Sequence, residues 1–418
     1  MSIRDVAVAA RAALPALARS PAGARNLFLE RVARNLDENS KALLAENADD
    51  VSCARESGNT DAFLDRLALN RGRVESLAGS LRFTASLPDP LYGLEDVVRL
   101  DSGLTAGRMR VPLGVIAFIC EARPGAVVEA AALAVKSGNA IVCKPGRDSC
   151  KSSGFLGAVM RRSLAEAGLP EDAVSVMPSL ERDDVLELVS LDGVVDLVIP
   201  RGGEGLIRLV AENSRVPVLK HYKGVCHLYV DKGADVETAV KVIVDAKASR
   251  PGTCNALECL LVHAGEAEAL LSALAPELKR RRVSVRAAKD CLPHLAALGD
   301  GAAEIAPGDY DREYLDLTLN VRAVPGLDGA LEHIRLHGTN HTEGILTPDL
   351  ANAMRFAQEA DASCVMVNAS TRLNDGGVLG LGGEIGISTT KLHAYGPMGL
   401  KELTARKFVV MGEGHVRG

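Results

Sequence analysis

Over roughly the first eighty residues, apolar side chains recur at intervals of three and four. NLFLERVARNL (26–36) and KALLAEN (41–47) show the spacing with charges between, the pattern of amphipathic helices. The opening MSIRDVAVAARAALPALARS spaces arginines through an Ala-rich stretch without a continuous apolar core, so it reads as a first helix and not as an export signal. LPDPLYG (87–93) is a loop. From Val97 to Val111, short alternating stretches flank Asp101, Ser102 and Gly103, which predicts a hairpin.

The pattern then changes. GVIAFIC (114–120) is continuously apolar, as a strand buried on both faces would be. A helical stretch (126–138), the strand AIVCKPG (140–146) and a helix over 155–169 follow. Strands are predicted again at AVSVMP (173–178) and VDLVIP (195–200). This alternation implies a parallel sheet in an α/β domain. A second series begins near Val236, with TAVKVIVDAKAS and then ALECLLVH. Residues 366–418 are Gly-rich and end on a strand, KFVVMG.

Composition narrows the function classes. The 418 residues suggest two to three domains. Aromatics make up 3%, with no Trp, which argues against base-stacking platforms and aromatic cages. A net charge of −6 leaves no basic footprint for nucleic acid. No apolar run reaches the length of a membrane span. The nine cysteines are scattered, without zinc-type spacing. They suit reduced thiols in a cytoplasmic protein, most of them as core filler.

Five places could carry chemistry. Cys254 lies in RPGTCNALE (250–258), a loop entering a helix or buried strand. Backbone N–H groups at such a junction would lower a thiol pKa and stabilise an oxyanion; a buried structural Cys is the alternative. Cys259 sits inside the apolar run and reads as core. Arg201, Gly202, Gly203 and Gly205 form a turn between a strand and helix-like sequence, either a phosphate cradle or a plain connection. Lys144, Pro145, Gly146 and Arg147 follow the strand AIVC. Two cations beyond a strand's carboxyl end suit a phosphate such as that of NADP, unless the turn is merely solvated. Arg123, in EARPG (121–125), could clamp an anion or pair with Glu121. His337, His341 and Thr342, before Glu343, suit substrate contact or loop hydrogen bonding better than metal.

Together these segments resemble the γ-glutamyl phosphate reductase (glutamate-5-semialdehyde dehydrogenase) family of the aldehyde dehydrogenase superfamily, over almost the whole chain. Residues 111–140, 196–207, 216–231, 250–263, 313–324 and 368–400 carry the resemblance. It implies an aldehyde dehydrogenase-like α/β fold: N-terminal helices with an NADP-binding Rossmann-like domain (1–235), a catalytic domain (236–365), and a return segment ending in an oligomerisation strand (366–418). The hairpin near 97–112 would join the oligomerisation element. The resemblance makes Cys254 the nucleophile, with Asn255 beside it. It implies NADPH-dependent reduction of L-glutamyl 5-phosphate to L-glutamate 5-semialdehyde through a cysteine thioester, the second step of proline biosynthesis. A homo-oligomer is expected, and glutamate 5-kinase, a separate chain, is a candidate partner for substrate transfer.

Two departures stand out. The family's usual Arg-Gly-Gly-Ser-type turn is here the Lys144–Asp148 turn, and Tyr395 stands where the family has Arg. Hydrolytic aldehyde dehydrogenases carry a water-activating Glu in a Leu-Glu-Leu-Gly-Gly segment. The matching Leu219–Gly224 segment has no carboxylate, which favours hydride over water as the thioester's partner. His221 in that segment is a candidate proton carrier, or else a structural His. Lys220 is a candidate for the leaving phosphate, and Arg123 with the 337–342 loop for the substrate's other anionic end. A hydrolytic aldehyde dehydrogenase and a non-enzymatic scaffold on the same fold are the competing readings.

Overall fold

The computed structural model describes residues 2–177, 181 and 183–417. The chain divides into two compact units, residues 1–220 with 380–386 and 397–418, and residues 221–379 with 387–396.

The first unit opens on five helices: α1 (Ile3–Ala18), α2 (Ala22–Glu38), α3 (Ser40–Glu56), α4 (Asp61–Leu67) and α5 (Arg71–Ser86). Ser2 caps α1 in a reciprocal box with Asp5, satisfying two N–H groups that a helix start leaves open. Its buried stripe of Ile3, Val6, Ala7, Ala10, Ala13 and Leu17 follows the helical period, and Ile3, Val6, Ala7 and Ala10 join the core beneath the first parallel sheet. The predicted hairpin forms as β1 (Leu94–Arg99) and β2 (Thr105–Pro112). The strand Thr404–Met411 pairs antiparallel along the whole of β2. This three-stranded sheet leaves Val97, Val98, Phe408 and Val410 exposed.

Four parallel strands follow: β3 (Val115–Cys120), β4 (Ala140–Pro145), β5 (Val174–Val176) and β6 (Leu197–Arg201), in the order β5-β4-β3-β6. Helices α6 (Pro124–Lys136), α7 (Cys150–Glu166) and α8 (Asp183–Val189) connect them, and α9 (Glu204–Asn213) leaves β6. Every residue of β3 and β4 is buried, as a sheet with both faces covered demands. Each such aliphatic side chain contributes about 1.5–3 kcal/mol by leaving water. The strand expected over 173–178 spans Val174–Val176; its last expected residue, Pro178, lies outside the described residues.

The second unit is a seven-stranded parallel sheet. Its strands are β7 (Cys226–Val230), β8 (Leu257–His263), β9 (Ser284–Ala287), β10 (Ala302–Glu304), β11 (Thr318–Val324), β12 (Thr342–Leu346) and β13 (Cys364–Val367), ordered β10-β9-β11-β8-β7-β12-β13. Helices α10 (Val236–Ala248), α11 (Ala267–Arg280), α12 (Leu327–His337) and α13 (Leu350–Glu359) pack against it. One core holds α10, α11 and their strands, and a second holds α12 and α13.

Two boundaries differ from expectation. The second unit begins at His221, not at 236, because β7 hydrogen-bonds to both β8 and β12 and so belongs in the middle of that sheet. Residues 366–418 are not one segment. The stretch through Leu379 and residues 387–396 belong to the second unit, and the remainder to the first.

Candidate active site

In the second unit the chain enters β8 through a tight turn. The Ala256 N–H donates to the Thr253 carbonyl at 2.9 Å, and the Thr253 hydroxyl donates to the Arg250 carbonyl at 2.9 Å. Cys254 stands on this turn, half-buried. Gly224 lies against it so closely that a Cβ there would fall 2.1 Å from the Cys254 carbonyl oxygen. Only glycine allows that approach. The Cys226 thiol donates to the same carbonyl at 3.2 Å.

Two imidazoles face the sulfur. One ring nitrogen each of His221 and His341 lies with Cys254 Sγ in a group spanning no more than 4.8 Å, and the rings meet edge to face at 5.4 Å. His221 Nδ1 is 2.9 Å from the Ile387 carbonyl. A carbonyl only accepts, so the proton is on Nδ1 and Nε2 addresses the thiol. His341 Nδ1 is 2.8 Å from the Thr342 hydroxyl, which also receives the Asn374 amide at 2.8 Å. Asn340 before it takes a left-handed φ of 59°, a conformation that Asn tolerates. Burial opposes ionisation of Cys254, but attraction to His341 and hydrogen bonding with His221 and His341, which can take up the thiol proton, outweigh it. They hold the thiol pKa well below its ordinary value.

A carboxyl also reaches this site. Glu313 receives the Gly224 N–H, and burial, reinforced by the Cys254 charge, raises its pKa. The lack of a carboxylate in 219–224 therefore does not leave the site without one. Nothing local marked Glu313, because it arrives from a loop 59 positions beyond Cys254.

The other expected residues take varied places. Asn255 is almost fully buried; its amide donates to the Asn374 carbonyl at 2.9 Å, its oxygen receives Arg372, and that oxygen lies 2.9 Å from the Thr253 hydroxyl. It ties the turn to the 372–374 loop. His341 lies in the loop just before β12 and is fully buried. Thr342 is the first residue of β12, and its hydroxyl orients His341. His337 ends α12, with Nδ1 2.8 Å from Asp311 and its ring beside His333 and Tyr310; it is not among the side chains grouped around Cys254. Tyr395 donates to Asp361.

A second group lies deeper in this unit. His227, Cys259 and His333 are buried and again place three ligand-type atoms within 4.8 Å. His227 donates from Nδ1 to Glu343 at 3.0 Å, and the Arg322 guanidinium donates to His333 Nδ1 at 2.9 Å.

In the first unit, the carboxyl ends of β3, β4 and β6 gather Glu121, Lys144, Gly146 and Arg201. Lys144 is buried, which lowers its pKa, whereas Arg147 is exposed. The Glu121 carboxylate receives the Gly203 N–H at 2.9 Å, and a Cβ at Gly202 would strike it at 2.5 Å. The turn at the start of α9 is thus open at Gly203 and Gly205 but closed at Gly202, and one of its donors is already used. Arg123 is the residue preceding α6, and Lys220 is the half-buried last residue of this unit's first segment.

The aldehyde dehydrogenase family pattern matches residues 1–292. A gamma-glutamyl phosphate reductase of Anaeromyxobacter sp. (strain Fw109-5) is 50% identical over 415 residues, covering 99% of this chain and 97% of its own. One from Xanthomonas campestris pv. campestris (strain B100) is 50% identical over the full length of both chains. The crystal structure of gamma-glutamyl phosphate reductase from Thermotoga maritima superposes with a TM-score of 0.94 at 41% identity, covering both chains entirely.

Proposed function

The chain belongs to the aldehyde dehydrogenase family and, within it, to the gamma-glutamyl phosphate reductases, and from that premise we propose that it reduces L-glutamyl 5-phosphate to L-glutamate 5-semialdehyde with NADPH, releasing phosphate, in proline biosynthesis. The observation that carries this reading is a thiol pressed toward its thiolate by two anchored imidazoles.

The Cys254 thiolate adds to the acyl carbon, and the negative charge moves to the carbonyl oxygen. The backbone N–H groups of Cys254 and Asn255 are the candidate donors to it. Phosphate departs as an anion and needs no proton from the protein, leaving the Cys254 thioester. A nicotinamide cofactor, when bound, would supply the hydride that reduces this thioester. The resulting thiohemiacetal oxyanion expels Cys254 as a thiolate, giving the aldehyde. His341 and His221 serve both ends of this cycle, since they stabilise the same thiolate as nucleophile and as leaving group. Glu313, whose pKa burial raises, holds its proton more tightly than an ordinary carboxyl, so less of it is in the form that takes a proton from water.

The first unit's residues fit the cofactor. Lys144 and Arg147 are cations suited to a phosphate, and Glu121, an acceptor, suits a ribose hydroxyl. The small residues at 203 and 205, next to Arg201, leave room for a close-lying group, whereas Gly202 packs against Glu121. Arg123 and Lys220 remain the candidates for the substrate's carboxylate and leaving phosphate. The exposed apolar residues of the β1–β2 sheet support a homo-oligomer built on it.

The test is oxidation of the semialdehyde with NADP, with and without inorganic phosphate. A phosphorylating enzyme forms NADPH only when phosphate is present. Equal rates in its absence would identify a hydrolytic dehydrogenase and overturn the reading.

A further inference from the structure

The side chains around Cys254 make a ligand set as well as a nucleophile. The sulfur and one nitrogen from each of His221 and His341 lie mutually within 4.8 Å. Ligands of a tetrahedral zinc ion sit about 3.5 Å apart, given Zn–N near 2.0–2.1 Å and Zn–S near 2.3 Å. Closing the group therefore needs shifts of at most roughly 1 Å, within the reach of side-chain torsions. One sulfur and two imidazoles form a borderline-soft set that suits Zn2+.

The outer partners have the right polarity. His221 Nδ1 is bonded to the Ile387 carbonyl, which fixes the proton there and turns the Nε2 lone pair inward. His341 Nδ1 meets a hydroxyl able to accept, Thr342 Oγ1, itself fixed by Asn374. Imidazoles that ligate metals are held in this manner by their second nitrogen. The deeper group fails the same test. Arg322 donates to His333 Nδ1, which puts that ring's proton on Nε2, facing the Cys259 sulfur at 3.5 Å. A ring nitrogen that carries a proton has no lone pair for a metal. Cys254 and His221 are moreover partly accessible, whereas Cys259, His227 and His333 are buried.

We propose that His221, Cys254 and His341 form a three-ligand site for Zn2+, which binds reversibly in place of the acyl substrate and caps the nucleophile. Binding forms an S–Zn and two N–Zn bonds. Any proton on the thiol leaves to solvent, the fourth position takes water, and nothing is oxidised or reduced. The bound sulfur has no lone pair aimed at an acyl carbon, so turnover stops until the ion is removed.

The experiment is a titration of the metal-free full-length protein with Co2+, a spectroscopic stand-in for Zn2+. The expected result is a single equivalent with tetrahedral visible bands and a near-ultraviolet thiolate-to-Co2+ band, both erased by added Zn2+. Cys254→Ser removes the thiolate band, and His341→Ala weakens binding by at least about 100-fold. Cys259→Ser leaves the spectrum unchanged. His221→Ala, at a partly exposed position, repeats the ligand test should His341→Ala fold poorly. Survival of the thiolate band in Cys254→Ser, its loss in Cys259→Ser, or binding unchanged in both histidine variants would overturn the proposal. The spectrum reads the site without turnover, so it stands or falls apart from the proposed reaction. In the reductase assay, Zn2+ inhibits and a chelator restores full rate.

Discussion

Cys254 has His221 and His341 for neighbours; Cys259, five residues on, has His227 and His333. The residue types are the same, and in both groups the ligand-type atoms lie within 4.8 Å of one another. Around Cys254 each imidazole is anchored by a carbonyl or a hydroxyl and turns its other nitrogen to the sulfur. Around Cys259 charged groups take up the imidazoles. Burial alone would lower the His227 pKa, but Glu343 outweighs it and carries it up to about 10. Burial pushes His333 down to about 2, with His227, His337 and Arg322 acting in the same direction. The first group is poised and accessible, while the second is a sealed, internally satisfied network. What separates a reactive cysteine from a structural one here is the partner on the far side of each imidazole and the presence of a path to solvent. Changes in the outer group should appear in rate, and changes in the inner group in stability.

The sharpest contrast comes from the two cysteines. Cys254→Ala is expected to lower turnover by about 10⁴-fold or more with little change in urea midpoint. Cys259→Ala should keep near-normal turnover and shift the midpoint modestly. Comparable loss of turnover in both would erase the distinction. Next in size is Glu343→Ala. It strands the buried His227 and is expected to cost about 3–5 kcal/mol in urea unfolding, with the surviving folded enzyme still active. Smallest is His341→Ala, expected to slow turnover by about 100-fold. The pH profile of Cys254 alkylation, followed on its peptide by mass spectrometry, checks the cause. In the native protein the thiol pKa is lowered, so alkylation persists as pH falls well below the usual thiol range. Without His341 the inflection moves upward, toward that range. An unmoved inflection would remove His341 from thiolate control.

Much of this was visible in the sequence, and the remainder was hidden for a physical reason. The apolar runs of β3 and β4 announce strands covered on both faces, and the three-and-four spacing of α1 and α2 announces helices. Cys254 could be singled out by its turn and by resemblance. His341 lies 87 positions from Cys254, and strand order alone brings them together, since β12 pairs with β7 and β7 with β8. Glu313 is hidden in the same way. The boundary at 220/221 escaped because CHLYV (226–230) resembles any buried strand, and only its pairing assigns it to a sheet. Local pattern reports what a segment is; which segments become neighbours is a long-range property.

Neither unit is a continuous stretch of chain. Residues through 220 wait for 380–386 and 397–418, whereas the second unit takes 221–379 and 387–396. A ribosome working from the N-terminus therefore releases the whole second unit before Thr404–Met411 emerges to cover the open edge of β2. During that interval β2 presents unmatched backbone groups to other nascent chains. Slow delivery or clipping of the last twenty residues would harm the first unit, although every side chain of the Cys254 site would already have been made.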